Sequence, residues 1–230
     1  MKRRGEGYPF QYIFNEKEFM GLNFYIEEGV LVPRPDTEIL VEYILAYINE
    51  YYEDKMINLL DLGIGSGAIS LSIASNCPHI KVFGIDIADI PIKVANINKE
   101  RFNLTNVEFL KGNLFEPLRD LNMEESFQII ASNPPYIPRQ DIDRLQDEVK
   151  SYEPRLALDG GIDGLDFYRI ISAQAKEFLQ NEGLLIYEIG YDQGCAVSEI
   201  LKIEGYNNIK VLKDLSNLDR VVICNWNSEG

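Results

Sequence analysis

The sequence predicts an α/β protein: a doubly wound, seven-stranded sheet, mostly parallel, with an antiparallel C-terminal hairpin and a small β-hairpin ahead of it. Three observations carry this. From Met56 onward short apolar runs alternate with segments of helical apolar spacing, as in strands joined by helical crossovers. The run Phe127 to Ala131 is apolar throughout, which suits a strand covered on both faces. The last two runs are separated only by polar residues from Asp214 to Leu218, too few for a parallel crossover, so they pair antiparallel.

Taken in order, residues 1–32 read as a tail and a hairpin, its strands at Gln11 to Phe14 and Asn23 to Ile26. The main domain, 33–230, opens with Pro33-Arg34-Pro35, which holds the chain extended. Asp36 is placed to cap a helix through Ile39, Leu40, Tyr43, Ile44 and Tyr47. Strands are expected at 57–62, 81–86, 107–111, 127–132, 183–189, 209–213 and 220–224. Helices are expected at 67–76, 90–102, 165–179 and 193–204.

Composition narrows the functions open to such a fold. With 230 residues, 46% of them hydrophobic, the chain can bury one substantial core. Lys and Arg number 22 against 37 Asp and Glu, a net charge of -15. That balance opposes a nucleic-acid partner, whose backbone is held by clustered cations; Lys2-Arg3-Arg4 is the only basic run and reads as a solvated tail. Three scattered cysteines, Cys77, Cys195 and Cys224, form neither a disulfide framework nor a metal motif and suit a reducing cytoplasm. No metal site is expected. No apolar stretch is long enough to span a bilayer, so no membrane partner is expected either. The single histidine, His79, follows Cys77-Pro78 between a helix and a strand and reads as structural.

Two stretches carry chemistry. Asp61-Leu62-Gly63-Ile64-Gly65-Ser66-Gly67 joins a strand to a helix, where glycines let the backbone turn sharply and approach a ligand. Asp86, about 20 residues on, ends the next strand, where an acidic side chain takes a ribose diol. This pattern fits NAD and S-adenosylmethionine alike. Asp61, beside the place for a methionine ammonium, and the terminal antiparallel hairpin favour the second. After the third strand, Asn113 and Leu114 could address an adenine edge and face.

The other stretch is Asn133-Pro134-Pro135-Tyr136. Consecutive prolines forbid both ladder pairing and helix, so the strand stops at the sheet's edge. It leaves there a side-chain carbonyl on Asn133, a backbone carbonyl on Pro134 and an aromatic plate on Tyr136. Two oxygen acceptors could take the two hydrogens of a planar NH2 group, localising its lone pair toward a methyl donor, while Tyr136 packs on the amide. Glu153, Arg155 and Glu188 are second-rank candidates, as able to form ion pairs or anchors as to touch substrate.

Together these residues resemble the HemK-type release-factor glutamine N5-methyltransferases, within the class I, Rossmann-like, S-adenosylmethionine-dependent family. The resemblance runs from about Pro9 to the C-terminus. It rests on Val32-Pro33-Arg34-Pro35-Asp36-Thr37-Glu38, the glycine turn, Asn133 to Ile137, and Tyr152-Glu153-Pro154-Arg155-Leu156-Ala157-Leu158. It implies methylation of the Gly-Gly-Gln glutamine of a peptide chain release factor, the partner. Cofactor contacts would come from Asp61, Gly63, Ile64, Gly65, Ser66, Gly67, Asp86, Asn113, Leu114 and Asn133. Asn133, Pro134 and Tyr136 would be catalytic, with Pro135 and Arg34 joining them around the substrate. Asn113 departs from the family, where relatives often carry an acidic residue. Family members also carry a helical domain ahead of the hairpin, and these residues begin almost at the hairpin, which bears on substrate affinity rather than chemistry. Competing readings are a ribosomal-protein glutamine methyltransferase, an adenine-N6 nucleic-acid methyltransferase, and a cofactor-binding module without catalysis.

Overall fold

The computed structural model describes residues 8–53 and 55–227; the basic run Lys2-Arg3-Arg4 lies outside them. A short helix α1 (Phe10–Phe14) precedes the hairpin of β1 (Glu16–Phe19) and β2 (Leu22–Tyr25). Helix α2 (Glu38–Tyr52) leads into the alternation β3 (Asn58–Leu62), α3 (Ala68–Asn76), β4 (Lys81–Asp86), α4 (Asp89–Arg101), β5 (Val107–Lys111), α5 (Glu116–Asp120) and β6 (Phe127–Ser132). After a long connection carrying α6 (Asp147–Tyr152) come α7 (Asp166–Phe178), β7 (Leu179–Glu188), α8 (Gly194–Ile203), β8 (Asn207–Lys213) and β9 (Asp219–Asn225).

The main sheet runs β5-β4-β3-β6-β7-β9-β8. β5 through β7 are mutually parallel, and β9 inserts antiparallel between β7 and β8. Successive residues of each central strand face opposite layers, as the two-residue period of a strand requires. Leu59, Ile129, Ala131 and Ile186 pack with Leu40, Ile44 and Ile48 of α2 and Leu71 of α3. Leu60, Ile130, Leu185 and Tyr187 pack with Leu118 of α5, Tyr168 and Phe178 of α7, and Val197 of α8. Covering both faces leaves the strand ends as the place where polar groups can gather.

Two local expectations are corrected. Residues Gln11 to Phe14 are helical, not a strand. Pro9 starts the turn, and Asn15 ends it in the left-handed region, its N–H donating to the Gln11 carbonyl. Tyr12 is buried with its hydroxyl donating to Val30 O at 2.6 Å. The hairpin strand comes one turn later, at Glu16–Phe19, and the tight connection Met20-Gly21 has both φ positive, the geometry of a two-residue hairpin. Nor does Asp36 cap a helix: Pro35–Thr37 form a 3₁₀ turn leading into α2, and the Asp36 carboxylate pairs with Arg220 at 3.2 Å.

The hairpin belongs to the body of the fold. Phe19 and Phe24 are buried in the α2 layer. Asn98 of α4, fully buried, accepts the Tyr25 N–H on Oδ1 (2.7 Å) and donates from Nδ2 to Tyr25 O (2.9 Å) and Ser66 O (3.0 Å). One carboxamide thus ties the hairpin's second strand to the glycine turn.

Candidate active site

The C-terminal ends of β3, β4, β5 and β6 open onto a cavity of about 240 Å³. Its wall includes Gly63 to Ser66 after β3, Asp86 at the end of β4, Asn113 and Leu114 after β5, and Asn133 to Pro135 after β6. The sheet topology therefore brings the two motifs read from the sequence, some 70 residues apart in the chain, onto one surface.

The glycine turn has the backbone its composition demands. Gly63, Gly65 and Gly67 have φ of 77°, 55° and 81°. A side chain at Gly67 would press on Leu71 and Ala95, whereas the space over Gly63 is open. Asp86 fixes the loop: its Oδ2 accepts the Gly65 N–H (3.1 Å) and its Oδ1 the Ala88 N–H (3.0 Å). Burial nonetheless raises its pKa, and these backbone donors offset part of the rise.

Asp61 sits deeper than its sequence position implies. It is fully buried and does not line the cavity; its Oδ2 accepts both the N–H (3.1 Å) and the hydroxyl (2.5 Å) of Ser70, clasping β3 to α3. Burial pushes its pKa up to about 7. Its Oδ1 has no partner among the described residues.

At the tip of β6, Asn133 and Pro134 line the cavity. Among the described residues no donor reaches Asn133 Oδ1 or the Pro134 carbonyl, while Asn133 Nδ2 points away, to Thr37 Oγ1 at 3.4 Å. Pro135 completes the wall there, but Tyr136 is not part of it. The Tyr136 ring packs with the Tyr168 and Tyr187 layer, and burial, with the Glu188 charge adding to it, pushes its phenol up to about 12. The ring expected to pack on the ligand is thus half-buried against this layer beside the cavity.

The segment after the claw folds back to hold it. Ile137 N–H donates to Leu158 O (3.0 Å) and Gly160 N–H to Ile137 O (2.9 Å). A Cβ on Gly160 would stand 2.8 Å from the Pro135 carbonyl and the Tyr136 Cα, and one on Gly164 would collide with the Tyr136 carbonyl. That carbonyl accepts Gln193 Nε2 (2.9 Å), which also donates to Gly164 O at 3.2 Å. Leu156 and Ala157 reach the cavity wall.

Residues 53–211 match a methyltransferase domain. A release factor glutamine methyltransferase of Clostridium acetobutylicum is 47% identical over 94% of this chain and 74% of its own. The counterpart in Thermodesulfovibrio yellowstonii is 43% identical over 97% of this chain and 78% of its own. The chain belongs to the release factor glutamine methyltransferase family. A solved methyltransferase from Pyrococcus furiosus, 20% identical, shares the fold with a TM-score of 0.66 over 99% of this chain and 100% of its own.

This methyltransferase uses S-adenosylmethionine, and the residues present fit it. The turn has open space above Gly63, an acidic side chain faces the cavity at Asp86, and Leu114 supplies an apolar wall. Asn113 is exposed, with Nδ2 directed to Glu116 at 3.3 Å, so its Oδ1 stays open as an acceptor. Asp61, two residues before Gly63, lies behind the turn rather than on the cavity wall, and its Oδ1 is unpartnered among the described residues.

Arg34 lines the cavity but is already engaged: its Nη2 meets Glu153 Oε1 at 2.6 Å and Oε2 at 2.8 Å. Glu153 is almost wholly buried, which raises its pKa against the lowering effect of Arg34. The pair clamps the Pro33–Asp36 loop of the methyltransferase onto the segment that follows α6. Gly160, Gly164 and Gln193 escaped the sequence reading, and Thr37 was read only as part of the Val32–Glu38 stretch, because each acts through a neighbour distant in sequence. Glycines at both ends of Gly160-Gly161-Ile162-Asp163-Gly164 were the one available signal.

Proposed function

We propose that the protein transfers a methyl group from S-adenosylmethionine to the N5 side-chain nitrogen of a glutamine in a peptide chain release factor, in the cytoplasm, with residues 33–230 carrying the chemistry and the hairpin bracing them. The observation that carries this is the pair of unengaged acceptors, Asn133 Oδ1 and the Pro134 carbonyl, on the same cavity wall as the glycine turn.

An amide nitrogen is a weak nucleophile because its lone pair is shared with the carbonyl. Asn133 and Pro134, each accepting one N–H, hold the NH2 group still and stabilise the positive charge that grows on nitrogen as it is alkylated. S-adenosylmethionine would supply the electrophilic methyl on its sulfonium, whose C–S bond breaks to leave the neutral thioether S-adenosylhomocysteine, and the alkylated nitrogen then gives up one proton to solvent. Gly63 to Ser66 and Asp86 hold its amino-acid and ribose portions, and Leu114 and Asn113 border the base. Arg34 shapes the substrate entrance through its hold on Glu153. Pro135 forms the wall beside the amide. Tyr136, neutral at any working pH, braces the claw from the core side and takes no proton. A net charge of -15 disfavours nucleic acid as the acceptor.

The test is incubation with methyl-labelled cofactor and purified release factor, followed by peptide mapping. Label on the glutamine of the Gly-Gly-Gln segment is expected. Label confined to a ribosomal protein or to nucleic acid, or none at all, refutes the assignment.

A further inference from the structure

A carboxamide has one accepting end and one donating end, and the two are nearly the same shape. The claw works only if Asn133 presents oxygen to the substrate NH2; turned over, it would set one NH2 group against another. Something must therefore choose its orientation, and the cavity, being open at that point, does not.

The choice is made behind Asn133. Ser132 of β6 pairs in register with Tyr187 of β7, so the next residues, Asn133 and Glu188, emerge side by side. Glu188 is 1% exposed, and its carboxylate lies close enough to the side chains of Thr37 and Asn133 for both to favour its charged form against burial. Asn133 Nδ2 also reaches Thr37 Oγ1 at 3.4 Å. An ionised carboxylate only accepts. It takes the Thr37 hydroxyl hydrogen, which leaves Thr37 Oγ1 as an acceptor, and both acceptors then demand the NH2 end of Asn133. The amide oxygen is driven outward.

From this geometry, and resting on the reading of the claw above, we infer that Glu188 is a positioning residue that, with Thr37, locks Asn133 with its oxygen toward the substrate amide. It touches neither cofactor nor substrate. Among the described residues no ion pair reaches it: Arg220 of β9, whose charge acts on it, is shared between Asp36 (3.2 Å) and Asp214 (3.1 Å). Glu188 Oε2 has no partner of its own among the described residues.

The lock is sensitive to proton uptake. The charged and titratable groups around Glu188 are Arg220 on β9, Asp36 before α2, Tyr136 after the claw and Tyr168 on α7. Burial dominates and pushes the carboxyl up to about 7, opposed by Thr37, Arg220 and Asn133 and reinforced by Asp36. Protonated, Glu188 becomes a donor, tolerates the amide in either orientation, and the lock is released.

The test uses the wild-type chain with Glu188→Gln, Thr37→Val and the double variant, assayed on release factor across about pH 5 to 9. Thermal melts show whether each folds, as expected when a buried charge gives way to an isostere. For Glu188→Gln, kcat should fall roughly 10²-fold, the scale of losing one preorganised hydrogen bond. The affinity for S-adenosylmethionine should be unchanged, and the acid limb of the wild-type kcat profile should disappear. Thr37→Val should fall comparably, and the double variant little further, because both act through one amide. A Glu188→Gln enzyme with wild-type kcat, or with reduced kcat but the same acid limb, or with cofactor affinity lost in parallel, overturns the inference. A wild-type enzyme inactive on glutamine refutes the function above and this inference with it.

Discussion

The two halves of the cavity are built on different plans. On the cofactor side, the contacts come from backbone and from residues close in sequence: Gly63 to Ser66 belong to one turn, and Asp86 is pinned by Gly65 and Ala88. On the side proposed for the substrate, the contacts are long-range: Arg34 pairs with Glu153, Asn133 reaches Thr37, and Gln193 holds the Tyr136 carbonyl. The difference teaches what each half can tolerate. A turn dictated by glycines is set by local conformation, whereas a claw held by long-range contacts depends on every element that carries a partner.

Substitutions can break that contrast or sharpen it. The largest effect is expected at Asn133→Ala, which removes an acceptor made for the transition state. Its kcat should drop on the order of 10³-fold while S-adenosylmethionine affinity, read by calorimetry, stays within about twofold. Gly164→Ala tests the claw from behind, since the added methyl collides with the Tyr136 carbonyl. A loss of roughly 10²-fold in kcat is expected, again with the cofactor retained, because small displacements of positioned groups are costly. Asp86→Asn should do the reverse, weakening the cofactor by about tenfold and leaving kcat at saturating cofactor close to normal. Equal loss of kcat and affinity in all three variants would show that the halves are not separable.

The smallest effect is on stability. Asp61 is raised to about 7 when folded, from 3.8. The folded state therefore binds its proton more tightly, and stability is greatest at acid pH and falls as pH rises through that window. In urea titrations without cofactor, Asp61→Asn should match the wild type near pH 3.5, where the carboxyl is protonated in both states, and exceed it at pH 8, by up to about 4 kcal/mol given roughly 1.4 kcal/mol per pKa unit. A wild-type advantage at pH 8 would mean that the Ser70 bonds outweigh the buried charge.

The same contrast explains what could be read from the chain. β4 and β6 lie where their apolar runs predict, because a strand covered on both faces leaves an almost unbroken apolar signature, and the edge strand β5 was legible from Val107, Phe109 and Leu110 around Glu108. The glycine turn and the proline stop are local events and were legible for that reason. Gln11 to Phe14 misled because its alternating aromatic residues suit a strand, whereas Pro9 and the left-handed Asn15 bound a helical turn whose Tyr12 is buried with its hydroxyl on Val30 O. β7 starts earlier than its apolar run because Leu179 pairs with Phe127 ahead of an irregularity in register. Gln193 carries no motif, and Thr37 stands in the Val32–Glu38 stretch without a role that the stretch itself assigns. Their roles exist only once β6, β7 and the segment near residue 160 are side by side.

The bridge made by Asn98 has a consequence for how the molecule moves. Through it the second strand of the hairpin and the carbonyl of Ser66 share a single rigid side chain, so the hairpin cannot swing without pulling on the loop that cradles the methyl donor. A displacement of the hairpin is thereby passed to the glycine turn, and anything that stiffens that turn should stiffen the hairpin as well.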